Sequence, residues 1–101
     1  MVPAGSASLT ICTHRTRTLT SGYQTLVSAL NSLPTRLSTA SCSPGPGPAG
    51  PGYQLLFSYP RGPAVDVDIT PRCHPEIDNL SLQSASATSI LPIIRHLLNP
   101  K

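Results

Sequence analysis

Two runs with a period of two in apolar and polar residues dominate the middle of the chain. Tyr53, Leu55, Phe57 and Tyr59 fall on one side of an extended backbone, with Gln54, Leu56 and Ser58 on the other. After Pro60-Arg-Gly-Pro63 the alternation resumes: Val65, Val67 and Ile69 face one way, and Ala64, Asp66, Asp68 and Thr70 the other. Period-two runs around a short Pro/Gly connection predict a β-hairpin, 53–59 paired with 64–70. Pairing Tyr59 with Ala64 sets Tyr53 opposite Thr70, and burial of one face holds the register, because a slip turns the aspartates inward.

Shorter patterns flank the hairpin. Residues 8–13 (SLTICT) alternate and are β-branched enough for a half-buried strand, followed at 14–20 by a polar connection with room for a short strand. Ser21 and Gln24 stand in the relation of a capping box, and Tyr23, Leu26, Val27, Leu30 and Leu33 form one stripe at helical spacing. The spacing predicts a helix over 22–33, ended by Pro34. Residues 34–52 are low in complexity and finish in Ser43-Pro-Gly-Pro-Gly-Pro-Ala-Gly-Pro-Gly52, a run read as neither helix nor ladder. Residues 80–83 are expected as a further short strand. Ser86 or Thr88 caps a second helix over 87–98, with Pro92 in its first turn and Arg95 and His96 in its last. The sum is an α+β fold over 1–101, one small domain in which two helices cover a small antiparallel sheet.

Composition narrows this picture. With 101 residues there is material for one core, and at 11% charged the chain is far from the composition of charged disorder. The net charge of +3 invites a nucleic-acid reading, but arginines 15, 17, 36, 61, 72 and 95 are scattered rather than clustered, so nucleic acid is not expected as a partner. The longest apolar run, 90–94, is too short to span a membrane and carries Pro92. The opening residues lack the basic start and apolar stretch of an export signal. Two locations are therefore expected: outside the cell or in its envelope if an upstream signal is missing, and otherwise the cytoplasm.

Three cysteines, 12, 42 and 73, carry the remaining chemistry. The hairpin's open end brings the segment after Cys42 and the segment before Cys73 together. A Cys42–Cys73 disulfide is expected where thiols are oxidised, closing a loop of about thirty residues for roughly 3–4 kcal/mol. Reduced cysteines acting as small apolar residues are the alternative. Cys12-Thr-His14 and Cys73-His74 offer two thiols and two imidazoles, but neither has the spacing of a structural zinc site, and no metal is expected. Asp66 and Asp68 resemble a carboxylate pair but read better as the polar face of the hairpin. Adjacent Cys73 and His74 face apart, so a thiol enzyme ranks low. No catalytic residue and no cofactor are assigned. Asn79-Leu-Ser81 matches the N-glycosylation pattern.

A strand ending in Cys12, the segment Leu26–Pro34, and Cys42 before a Pro/Gly loop come first. Tyr53-x-Leu55-x-Phe57-x-Tyr59-Pro-x-Gly62, Val65-x-Val67, Cys73 and a leucine-rich last helix follow. This order resembles small exported or lipid-anchored actinobacterial proteins of unknown function. The resemblance implies an exported domain with Cys42–Cys73 bridged, and implies no activity. The function expected is thus a non-enzymatic exported module that binds a protein or a cell-envelope component. The alternative is a protease inhibitor presenting 43–52 or the turn at 60–63.

Overall fold

In a computed structural model, residues 1–39, 43–44, 52–71 and 73–99 are described. Among the described residues, nine strands and two helices follow one another as β1 (Ser8–Cys12), β2 (Thr16–Leu19), α1 (Gln24–Asn31), β3 (Arg36–Leu37), β4 (Ser43–Pro44), β5 (Tyr53–Ser58), β6 (Val65–Ile69), β7 (Cys73–His74), β8 (Ile77–Asp78), β9 (Leu82–Ser84) and α2 (Leu91–Leu98). Seven strands make one sheet in the order β2-β1-β5-β6-β8-β9-β3, and β4 pairs with β7 separately. All ladders are antiparallel. The fold is α+β, with a sheet larger than the alternation alone predicts. The extra strands are two or three residues long, too short for a period to show.

The hairpin register is shifted by one residue from that expected, with Tyr53 opposite Ile69 rather than Thr70, Leu55 opposite Val67 and Phe57 opposite Val65. The reason is the pleat. Directly opposed residues share a face, so an apolar odd-numbered position must meet another odd-numbered one. A Tyr59–Ala64 pair would have set the apolar face against the aspartates. β1 lies along the other side of β5, with Leu9 opposite Phe57 and Ile11 opposite Leu55.

One face of the sheet is therefore apolar, and both helices contribute to the same buried cluster. Leu9, Ile11, Leu55, Phe57, Val67, Ile69 and Ile77 meet Tyr23, Leu26 and Leu30 from the first helical segment and Ile90 and Ile94 from the second. Tyr23 contacts Phe57 with ring centres 6.2 Å apart at 51°, a tilted aromatic pair. Its hydroxyl lies 3.0 Å from Ser6 Oγ.

Helix starts differ from the capping patterns. α1 is capped by Tyr23 and α2 by Ile90, neither through a side-chain hydrogen bond. Ser21 is separated from α1 by Gly22, whose φ of +80° turns the chain before the helix begins. Ser86 and Thr88 bond each other at 2.8 Å instead of the helix amides. Pro92 lies in the first turn, and Arg95 and His96 in the last. The expected strand at 80–83 is shifted to Leu82–Ser84, because Leu80 adopts φ +74° in the turn before it. Ser43–Pro44 does enter a ladder, opposite His74 and Cys73, a correction to the reading of that run as incapable of pairing. Residues 45–51 lie outside the described residues.

The chain start is strapped to α1. Asn31 Oδ1 accepts from the amino group of Met1 (2.9 Å) and the backbone amide of Val2 (2.7 Å), while its Nδ2 donates to the Val2 carbonyl (2.8 Å). Val2, 2% exposed, is thereby held in the core.

Candidate functional site

The second face of the sheet is polar, and its residues align in rows. One row crosses every strand of the sheet: Thr16, Cys12, Gln54, Asp68, Asp78, Gln83 and Arg36 are opposed in turn. A parallel row holds Thr18, Thr10, Leu56 and Asp66. Asp66 and Asp68 do share this face, as their spacing predicts, but both are half-buried rather than open to solvent.

The carboxylates have unequal surroundings. Asp78 is well satisfied: the Ser38 hydroxyl donates to both of its oxygens at 2.8 Å, and the Leu80 amide donates at 2.6 Å. Glu76 turns away to accept the Ala87 amide at 2.8 Å. Asp66 accepts from Gln54 Nε2 at 2.8 Å through Oδ2, while its Oδ1 is buried and lacks a hydrogen-bond donor. A proton on neighbouring Asp68 can supply that bond. Burial, then the hydrogen bond and charge of Asp66, then the charge of Asp78, push the Asp68 carboxyl up to about 6.

Where β1 ends, β5 begins and β6 ends, the sheet opens into a cleft of about 650 Å³. Cys12, His14, Tyr53, Gln54, Asp68 and Thr70 are among its walls. Gly52 lets β5 enter closely, since a Cβ there would lie 3.3 Å from the Ile69 carbonyl oxygen. Cys12 is a free thiol and half-buried. His14 Nδ1 stands 3.5 Å from the hydroxyl of Thr13, a contact with its own neighbour. This open depression therefore combines an aromatic side chain with amide, hydroxyl, carboxyl and thiol groups.

The other sequence candidates are placed as follows. Cys73 and His74 form β7 beside β4, whereas Cys12 and His14 lie in the cleft. The expected Cys42–Cys73 pairing involves Cys42, which lies outside the described residues. Among the described residues, no three His, Cys, Asp or Glu side chains group to hold a metal. Asn79 is occupied structurally: its Nδ2 donates to the Met1 carbonyl at 2.9 Å, and its Oδ1 accepts from the amides of Ser81 and Leu82. The turn Pro60–Pro63 is exposed, and Tyr59 beside it donates its hydroxyl to the Pro3 carbonyl at 2.7 Å.

Asp68 as part of a three-carboxylate group, and its place in a cleft with Cys12 and His14, escaped the sequence reading. The signal was the polar half of each alternating run, which shows whose neighbours they are only once strand order is known. Among the described residues, no helix is long and apolar enough to cross a membrane. Comparison with protein-family models, curated proteins and solved structures finds no match.

Proposed function

We propose that this chain is a non-enzymatic binding module of an exported protein, and that the cleft at the Cys12–Gln54–Asp68 end of the sheet takes a cell-envelope component. The cleft is the observation that carries this reading. Tyr53, Gln54 and Asp68 are held on paired strands, so they lose little freedom on binding. Tyr53 offers an apolar surface, while Gln54, Asp68, Thr13 and Thr70 offer hydrogen bonds. That pairing of surface and rim suits a polyhydroxylated glycan of the envelope.

Purified protein mixed with isolated cell-wall sacculi and centrifuged tests the reading. Wild type is expected to sediment with the sacculi. Thr70→Arg, which places a long side chain at the cleft mouth from an exposed position, is expected to bind at least tenfold more weakly, with its circular dichroism unchanged. Failure of the wild type to sediment, or equal sedimentation by the variant, counts against it.

The disulfide belongs to the same proposal. β4 begins one residue after Cys42, and Ser43 and Pro44 pair with His74 and Cys73, which supports a Cys42–Cys73 bridge in an oxidising compartment. Thiol titration of native protein purified without reductant is expected to give one reactive group under denaturing conditions, and three after reduction. Three before reduction would remove the bridge.

A protease-inhibitor reading keeps one favourable observation, the exposed Pro60–Pro63 turn beside the anchored Tyr59. It places function at the opposite end of the hairpin from the cleft, so Thr70→Arg would leave it intact.

A further inference from the structure

We propose that the seam between β6 and β8 is a proton-operated clasp, tightened when Asp68 carries a proton and donates it to Asp66, and opening more readily when Asp68 is charged and faces Asp78. The seam is a short join, held like β8–β9 and β9–β3 by two opposed pairs, here Asp68–Asp78 and Ile69–Ile77, and it alone among the described ladders sets two carboxylates opposite each other. The Thr70 amide extends it by donating to the Glu76 carbonyl at 2.8 Å. By contrast β5 and β6 share five opposed pairs. Beyond the seam hang β8, β9 and β3.

Like charges directly opposite in a ladder weaken it, and here Asp68 faces Asp78 across the seam while Asp66 sits two residues along the same face. Around Asp68, Asp66 stands on the same strand, Asp78 on β8, and Gln54 on β5, where its amide is already given to Asp66. Cys12 and His14 stand across the cleft, and Arg36 lies at the far end of the same row, beyond Asp78 and Gln83. A proton on Asp68 relieves the repulsion with Asp78 and gives the buried Asp66 Oδ1 the donor it lacks.

The pH window follows from the direction of the shift. In the open seam the Asp68 carboxyl is hydrated and ionises near 3.8, whereas in the closed seam it holds its proton to about 6. Closure is therefore favoured at acidic pH, and that advantage is lost as pH rises toward 6. One pH unit below the closed-state value corresponds to about a tenfold change in the opening equilibrium.

Native-state hydrogen exchange tests the clasp, with each amide rate divided by its intrinsic rate at the same pH. The Thr70 amide is expected to lose about tenfold protection between pH 5.0 and 7.5, while amides between β1 and β5 change less than twofold. Asp68→Asn is expected to abolish the difference at Thr70. Parallel changes at both ladders, or a tenfold loss that persists in Asp68→Asn, would overturn the clasp. Should that variant fold poorly, carboxyl carbon resonances of the wild type decide instead. An Asp68 midpoint above about 5.5 that coincides with the pH at which Thr70 loses protection supports the clasp; a lower midpoint, or one that Thr70 protection does not follow, overturns it.

Discussion

Phe57→Ala is expected to cost about 3–5 kcal/mol, the range for removing a fully buried aromatic ring. The ring is 0% exposed and lies in β5, with Leu9 opposite on one side and Val65 on the other. It also contacts Tyr23, so its removal leaves that ring without its aromatic neighbour. Tyr23 is fixed from its far end by Ser6, which limits how far it can collapse into the space. Domains of this kind are stable by about 5–15 kcal/mol in total. A urea midpoint that falls by a third or more checks the estimate. Phe57→Leu should recover more than half of the loss, because most of the volume returns. Leu56→Ala, one residue along on the half-buried polar face, should cost less than half as much. Equal losses at 56 and 57 would mean that the two faces are assigned wrongly.

Asn31→Ala is expected to cost about 2 kcal/mol and to release the first residues of the chain. Three hydrogen bonds from one side chain fasten Met1 and Val2. Their loss strands a part-buried amide and carbonyl at Val2, at about 1–3 kcal/mol for groups left without partners. The chain can relax by lifting Val2 out of the core, which exchanges that penalty for lost apolar burial of similar size. Asn31→Asp retains the accepting oxygen and loses only the donor to Val2, so it should fall between the two. Exchange of the Val2 amide, slow in the wild type and fast in Asn31→Ala, distinguishes release of the strap from general weakening.

Alternation made the hairpin legible because strands this long repeat their pattern two or three times per face. The apolar face emerged with it, and so did the helical stripe of Leu26 and Leu30 and the placement of Pro92. Register did not. It depends on which residues oppose each other, and the Pro60–Pro63 connection accommodates either count until Leu55 and Val67 are required to share a face. Helix starts were misread because S-x-x-Q describes only side-chain spacing, whereas Gly22 turns the backbone between the cap and the helix. Strands such as Arg36–Leu37 and Ile77–Asp78 contain no repeat to detect, and they exist because longer neighbours recruit them. The cleft was hidden for a related reason. Cys12, Gln54 and Asp68 come from three segments, and only the strand order β1-β5-β6 makes them a row.

That strand order also leaves the sheet with two short margins. β2 has four residues and carries Arg17, while β3 has two and carries Arg36. Unpaired strand edges are where copies of a protein add to one another, and brevity with positive charge is an effective deterrent. Leu37, beside Arg36, is 80% exposed, so at that margin shortness and charge must offset an apolar side chain. Tolerance of crowding should therefore be uneven. Concentrated solutions at high salt, where arginine repulsion is screened within a few ångströms, are where association at the Leu37 margin should begin, and light scattering should show less of it in Leu37→Lys.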